Sequence, residues 1–505
     1  NYKEIKKILE DENYSFSTDT DTEVLVNFLE SCISKSSSVE EGLTFGLSKV
    51  EGAYGIVIMD NENPENLYAA RKGSPLAIGK FDENFILASD ATPIIKYTDK
   101  VIYLDNDSLI KIEKDSFEIF DFDLNIKNKK FQKVDVELQK VELGEFDSYM
   151  LKEIMEQPFS LSQTMLGRVK DDGISLGGIN KYVDKLLEAK RIIIIGCGTS
   201  WHAALTAEYF LEKYLKIPVE VEYASEFRYR NPIIYESDIV FVVSQSGETA
   251  DTLEATKIAK EKGSTVLGIV NSVGSSIARE THEGCYLHAG PEIGVASTKA
   301  YTSQLLVFFM IGIKAASIKN NISDTKYHKM IKQLKELPGK VEEVLSNVSQ
   351  IEDIAKKIFK KDHCLFMSRG NNFPVALEGA LKLKEISYIH AEGYPAAELK
   401  HGPIALIDEN MPVVVICTKS DEYEKMLSNV MEIKARKAIV VGIVDPKNFH
   451  MKKHFDYSIE VPNTSKDFSP IVNQIPLQLI AYFCAIYRGC DVDKPRNLAK
   501  SVTVE

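Results

Sequence analysis

The chain has 505 residues, room for about two to four domains, and its 44% hydrophobic and 27% charged content is that of a globular protein. A net charge of −13 without a basic cluster argues against nucleic acid or an anionic membrane as a partner, yet leaves open a phosphorylated small molecule, which needs only local donors. Seven scattered cysteines form no CxxC pair and no Cys/His set has ligand spacing, so free thiols in a reducing cytoplasm are expected, with neither disulfides nor a metal.

The chain opens with Asn1 inside a polar helical pattern, so this start is expected to lie within a longer protein. Short strand-like runs follow at 52–60, 66–73, 74–80, 83–90, 100–113 and 116–123, bounded by Gly, Asp, Asn and Pro, and predict a meander of antiparallel strands. A charged, weakly patterned segment at 136–147 reads as a linker, and 148–168 reads as helical. After residue 180 the rhythm becomes strand, helix, strand. The continuous apolar runs at 191–196, 217–223, 237–244 and 264–270 predict a parallel sheet buried on both faces. No apolar run approaches membrane-spanning length, and 305–313 reads as a buried helix. No signal-peptide pattern is visible, which fits a cytoplasmic location.

This pattern recurs. Gly198, Ala204 and Leu205 align with Gly370, Ala376 and Leu377, each pair 172 residues apart (370 − 198, 376 − 204, 377 − 205), so two tandem α/β domains of one topology are expected. In the first copy a strand runs straight into Ser244-Gln245-Ser246-Gly247-Glu248-Thr249 and then into a helix. Such hydroxyls fit a phosphate cradle at a helix N-terminus, and they also fit an ordinary polar cap. The second copy has Cys417-Thr418-Lys419-Ser420-Asp421-Glu422 instead, and that asymmetry favours an anion site in the first copy alone. Cys197-Gly198-Thr199-Ser200 opens another helix, but Trp201 stands where a dinucleotide fingerprint needs its third glycine, so no nicotinamide or flavin cofactor is expected. Ser200 and Ser244 both fall at carboxyl ends of strands and could face one crevice.

The segments CGTSWHAA, EFRYRNP, SQSGETADT, EIGVASTKAYTSQ, EGALKLKEISYIHAEGYPAAELKHGP and KPRNLAKSVTVE together resemble the glucosamine-6-phosphate synthase family, whose halves are sugar isomerase (SIS) domains. SFSTDTDTEV, EGAYGIVIMD and RKGSPLAIG are similar to the later portion of that family's glutaminase domain. The resemblance implies an α/β protein of two tandem SIS domains with parallel sheets flanked by helices, preceded by a partial, antiparallel β-rich amidotransferase domain of the N-terminal-nucleophile (Ntn) type. The boundaries expected are 1–135 for the partial glutaminase, 136–156 for a linker, 157–330 and 331–490 for the SIS domains, and 491–505 for a tail completing the sugar site.

The implied reaction joins glutamine-derived ammonia to fructose 6-phosphate and yields glucosamine 6-phosphate. Ser244, Gln245, Ser246 and Thr249 would hold the phosphate, with Cys197, Gly198, Thr199 and Ser200 beside them. Val295, Ser297 and Ala499 would contact the sugar. Glu385 would carry the proton between adjacent carbons, with Lys382 on nearly the same helix face. His401 would open the ring, reaching the site from the neighbouring subunit of a homodimer. Lys500 would meet the sugar carbonyl, and the apolar residues around it (Leu498, Ala499, Val502, Val504) predict a tail docked in a groove. Asp21 would be a remnant of the glutamine site.

The family's glutaminase begins with a cysteine whose own α-amine assists it. With Asn1 in first place, this chain is expected to be limited to the isomerase half. Two other functions stay open at this stage. A simple phosphosugar isomerase would have no use for residues 1–135, and a non-catalytic sugar-phosphate sensor would not need Glu385, His401 and Lys500 together.

Overall fold

The computed structural model describes residues 1–503 apart from Asp90, 134–141 and Lys447. The chain forms two compact units, residues 1–142 with the C-terminal stretch from Val502, and residues 143–501.

The first unit opens with three helices, Tyr2–Asp11, Asp21–Ser34 and Val39–Lys49. Thr20 and Ser38 cap the second and third, accepting from Glu23 N and Glu41 N at 3.4 and 3.1 Å. Among the described residues eight strands follow: β1 Tyr54–Met59, β2 Leu67–Lys72, β3 Ala77–Phe81, β4 Asn84–Ala88, β5 Lys100–Tyr103, β6 Ser108–Ile112, β7 Phe117–Asp121 and β8 Gln132–Lys133. They are antiparallel, as expected, but do not form a meander. They make two four-stranded sheets, β1-β2-β6-β7 and β4-β3-β5-β8. The run 100–113, read as one strand, is two. Asp107 takes a left-handed φ of 52°, and the turn there sends β5 and β6 into different sheets.

Alternation along the strands then fills two cores. Ala69 and Ile110 pack with Ile78 and Ile102 between the sheets. Their neighbours Ala70 and Leu109 pack the other way, against Leu29, Leu43 and Leu47 of the helices. The first sheet is therefore covered on both faces. Of the linker expected at 136–147, the half at 136–141 lies outside the described residues.

The second unit holds ten more strands in two parallel sheets. The first contains β9 Arg191–Gly196, β10 Val219–Tyr223, β11 Asp238–Ser244, β12 Thr265–Val270 and β13 Glu283–Tyr286, in the order β10-β9-β11-β12-β13. The second contains β14 His363–Ser368, β15 His390–Pro395, β16 Pro412–Cys417, β17 Ile439–Val444 and β18 Tyr457–Glu460, in the order β15-β14-β16-β17-β18. The topologies match. β9 and β14 begin 172 residues apart (363 − 191), the spacing of the sequence repeat. The edge strands β13 and β18 are too short and polar for an apolar run to reveal them. β11 and β12 are buried along their whole length, which is why their sequences carry no alternation.

Gly198 and Gly370 take φ values of 51° and 58° where each first strand turns into its helix. Those helices, Thr199–Leu215 and Phe373–Ser387, pack on each other and on Lys299–Ile318 and Ser469–Tyr487. The last two are longer than the apolar run read from sequence and reach a length and hydropathy that could cross a membrane, correcting the expectation that nothing here does. Both are core helices, 83% and 89% buried. Tyr149–Met155, at the end of the segment read as linker, is a helix whose Met150 and Ile154 are wholly buried in the same core.

Candidate active site

β11 delivers the SQSGET loop to the carboxyl edge of the first parallel sheet. Gly247, with φ 68°, turns it so tightly that a Cβ there would lie 2.0 Å from Ser275 Oγ. Ser244 Oγ accepts from Gly247 N at 3.0 Å, and Ser246 Oγ accepts from Glu248 N at 3.1 Å. Ser244 Oγ and Thr249 Oγ1 lie 3.2 Å apart. Hydroxyls that accept from the loop keep their own hydrogens for a ligand or a neighbouring hydroxyl. Thr249 begins the Ala250–Glu261 helix without capping it by its side chain, so that positive end stays open beside the hydroxyls. The one acidic residue of the loop points elsewhere: Glu248 Oε1 accepts from Ser276 N at 2.9 Å.

The second repeat treats the equivalent place differently. Asp445 accepts from Lys419 N, and the Glu422 carboxylate lies 3.5 Å from where a Cβ on Gly370 would stand. Carboxylates thus stand in the second repeat where the first has hydroxyls.

Beside the first loop, Ser200 Oγ accepts from Gln304 Nε2 at 3.0 Å. Its neighbour Thr199 reaches a sealed polar row on the Phe373–Ser387 helix. Thr199 Oγ1 donates to Glu378 Oε1 at 3.0 Å and accepts from Lys382 Nζ at 3.0 Å. Lys382 Nζ lies 3.3 Å from Glu378 and 2.7 Å from Glu385. His202 Nδ1 is 2.6 Å from the other Glu378 oxygen. The side chains of Glu378 and Lys382 are 0% exposed, whereas that of Glu385 is 21% exposed, so the row runs from the core to an open end at Glu385. Burial alone would lower the Lys382 pKa. The carboxylates of Glu378, Glu385 and Glu292 outweigh it and hold the ammonium well above its ordinary value.

Lys500 comes from the tail. Its Nζ donates to Glu292 Oε2 and to the Gly294 carbonyl, both at 2.7 Å. Glu292 is buried and also accepts from Thr298 N and Ala300 N at 2.8 and 3.1 Å, at the start of the Lys299–Ile318 helix. Burial works to raise its pKa, and Lys500 with those amides overcomes that and holds it below the usual range. One residue further, Ser501 Oγ lies 2.9 Å from Ser246 Oγ, so the tail joins the Glu292–Gly294 loop to the SQSGET loop.

The groups expected from sequence thus meet in large part: Thr199, Ser200, Ser244, Ser246 and Thr249 at strand ends, Lys382 with Glu385, and Lys500 against the loop that carries Val295 and Ser297. Cys197 is half-buried, its Sγ 3.7 Å from Thr252 Oγ1. The Gln245 carbonyl accepts from Asn271 N at 3.2 Å, and Val295 N donates to Asp493 O at 3.1 Å. Three residues stand apart. His401, exposed at the end of the 3-10 turn Glu398–His401, makes no hydrogen bond or ion pair among the described residues. Asp21 is exposed in the first turn of its helix in the first unit. Ala499 is exposed.

Among the described residues the tail does not dock by its apolar side chains, because Leu498 and Val502 are 46% and 59% exposed; Val504 lies outside the described residues. Polar ties from Lys500 and Ser501 hold it instead. Sequence reasoning missed Glu378, Glu292 and Gln304. Glu378 could have been found, since 378, 382 and 385 fall at i, i+4 and i+7 on one helix face.

The arrangement is that of a tandem SIS protein whose two strand-end loops differ. Residues 185–314 and 357–488 match the SIS domain family, and residues 1–96 match a glutamine amidotransferase domain. The chain is 50% identical to the isomerizing glutamine–fructose-6-phosphate aminotransferase of Chlorobaculum tepidum, and 49% identical to that of Bacteroides thetaiotaomicron, covering 100% of this chain and 83% of each relative. The C-terminal domain of the Francisella tularensis glucosamine-fructose-6-phosphate aminotransferase superposes on 70% of this chain and 99% of its own, at 43% identity and a TM-score of 0.66. A Thermotoga maritima glucosamine-6-phosphate deaminase covers 70% of this chain and 99% of its own, at 26% identity and a TM-score of 0.56. The chain belongs to the isomerizing glutamine–fructose-6-phosphate aminotransferase family.

Proposed function

We propose that the second unit binds fructose 6-phosphate, takes up ammonia derived from glutamine and releases glucosamine 6-phosphate, an amino-sugar precursor. One observation carries this reading: the tail places Lys500 on the Glu292–Gly294 loop and Ser501 on Ser246, so an amine and a phosphate cradle meet one site.

The phosphate sits among Ser244, Gln245, Ser246 and Thr249 with Ser200, facing the open helix end. Residues 197–199, Val295, Ser297 and Ala499 line the sugar. Lys500 meets the C2 carbonyl, as a nucleophile or as the donor that orients it. Glu385, at the open end of the buried row, moves the proton between C1 and C2 while Lys382 holds its carboxylate in place. His401 opens the ring. It has no hydrogen-bond or ion-pair partner among the described residues and reaches the site from a second copy, so the working form is a homodimer. We place it in the cytoplasm, on its unpaired cysteines.

A simple isomerase has no use for the amidotransferase match at 1–96, and a sensor has none for the acid–lysine row. The test is incubation of the chain with fructose 6-phosphate and either glutamine or an ammonium salt, with products read by mass spectrometry. Glucosamine 6-phosphate is expected from at least one nitrogen source. Glucose 6-phosphate alone from both would leave the simple isomerase standing.

A further inference from the structure

Glu153 is an acid that the reaction as described does not use. It lies on the Tyr149–Met155 helix and is 2% exposed. Its Oε1 accepts from Ile293 N, and from Gly294 N at 3.2 Å. Its Oε2 is buried and has no hydrogen-bond partner among the described residues. A Cβ on Gly294 would lie 3.0 Å from that oxygen, so the glycine lets the carboxyl close on the peptide. The other face of the same loop, at Gly294 O and Glu292, holds Lys500.

The supporting helix is itself pinned to the tail. Asp493 accepts from Tyr149 N and Met150 N, both at 2.8 Å, and its carbonyl takes Val295 N. A partly buried ion pair, Lys299 to Glu156 at 2.8 Å, ties the residue after this helix to the start of the Lys299–Ile318 helix.

We infer that Glu153 is a positioning residue for the sugar reaction: by gripping the Ile293–Gly294 peptide it fixes the carbonyl and carboxylate that hold the Lys500 amine. This rests on the reading of Lys500 as the group that meets the sugar carbonyl. A loop of this kind, left to drift by an ångström, costs rate through misorientation.

The charge of Glu153 adds a second effect. Burial first, and the neighbouring Glu292 carboxylate second, push its carboxyl up to about 8, with Lys500, Lys299 and the Ile293 amide pulling the other way. Near neutral pH Glu153 is therefore uncharged and Lys500 faces one buried carboxylate. Above that value Glu153 ionises and sets a second buried negative charge, beside that of Glu292, behind the loop that holds Lys500.

The experiment compares the pH dependence of kcat for fructose 6-phosphate turnover in the wild type, Glu153→Gln, Glu153→Ala and Lys500→Ala. Glutamine keeps an oxygen for the two amides but cannot ionise. In Glu153→Gln, which cannot gain that charge, the change of kcat as pH passes about 8 is expected to disappear. Glu153→Ala should lower kcat by about tenfold or more, with a smaller change in KM, because the loop loses its grip. If Glu153→Gln reproduces the wild-type profile and Glu153→Ala keeps full kcat while Lys500→Ala is inactive, Glu153 only fills space and the inference fails alone. If Lys500→Ala itself turns over normally, the reading of the site beneath it fails.

Discussion

Glu378 and Lys382 stand one helical turn apart with both side chains sealed from solvent, 3.3 Å between carboxylate and ammonium. Such a pair is held by what surrounds it. Thr199 bridges it from the other repeat, His202 takes the second carboxylate oxygen, and Glu385 takes the far side of the ammonium. Removing one partner leaves a buried charge with nothing to offset it.

Lys382→Met should therefore destabilise the second unit by about 3–5 kcal/mol, whereas Glu378→Gln with Lys382→Met should cost less than the two single changes added together. Trp201 is the only tryptophan in the chain and lies on the Thr199–Leu215 helix, so its fluorescence in urea reports this unit. Strict additivity in the double variant would mean that the two charges do not compensate each other.

The asymmetry of the repeats gives a second test. Ser244→Ala or Thr249→Ala should weaken fructose 6-phosphate binding by about 1–3 kcal/mol, the cost of a lost hydrogen bond to a charged group. Thr418→Ala and Ser420→Ala, at the matching loop of the second repeat, should leave it unchanged. Titration calorimetry distinguishes these, and equal losses in both loops would remove the assignment of the anion to the first.

Glu385→Gln should keep sugar-phosphate binding and lose C1–C2 proton transfer by about a hundredfold or more, the usual scale for a general base. Exchange of the C1 proton in deuterated water, followed by NMR, measures it. Normal exchange would move the role to another group, with Lys382 the nearest.

The placing of His401 can be tested by mixing. Inactive His401→Ala and Glu385→Gln subunits, unfolded together and refolded, form hybrids in which one site has both residues intact if His401 crosses between copies. Roughly a quarter of wild-type activity should then return. No recovery, with hybrids verified by native mass spectrometry, would place His401 in its own subunit's site.

Stability should also depend on pH through Glu208. It sits one turn before Glu212 on the Thr199–Leu215 helix. Burial first, then the Glu212 charge, pushes its carboxyl up to about 7. Between about pH 4.5 and that value the folded unit keeps a proton that the unfolded chain has released. This contribution is complete below the unfolded pKa and is lost as pH rises through the folded one. Glu208→Gln should flatten that decline, by on the order of 1 kcal/mol once solvent screening is allowed for. Urea midpoints at about pH 5 and about pH 8 would show it, and an unaltered slope would mean that Glu208 is ionised throughout.

Much of this was legible in the sequence because buried parallel strands write themselves plainly. Ile192 to Ile195 and Val240 to Val243 are apolar without alternation, and the spacing of Gly198 and Gly370 exposes the repeat. The place of the SQSGET loop was legible for the same reason, since hydroxyls crowd where an apolar strand stops. Strand pairing in the first unit was not legible, because β2 lies beside β6 and no local signal records a partner so distant. Glu153, Glu292 and Glu378 look like ordinary surface acids in one dimension. Only the packing of other segments around them turns them into buried groups, and a tail with apolar residues proved to be tied down by an amine and a hydroxyl.

The two repeats share a topology but divide their labour. The first supplies the anion loop from β11. The second supplies the acid–lysine row from the Phe373–Ser387 helix, whose counterparts 172 residues earlier are Thr206, Phe210 and Lys213 (378 − 172, 382 − 172, 385 − 172). A duplicated fold usually offers a spare, one copy free to drift while the other keeps working. On the proposed reading each copy holds parts that the other lacks, so damage to either would silence the same site. The duplication survives as geometry and has vanished as insurance: natural variation should be constrained equally tightly in both halves, though at positions that do not correspond.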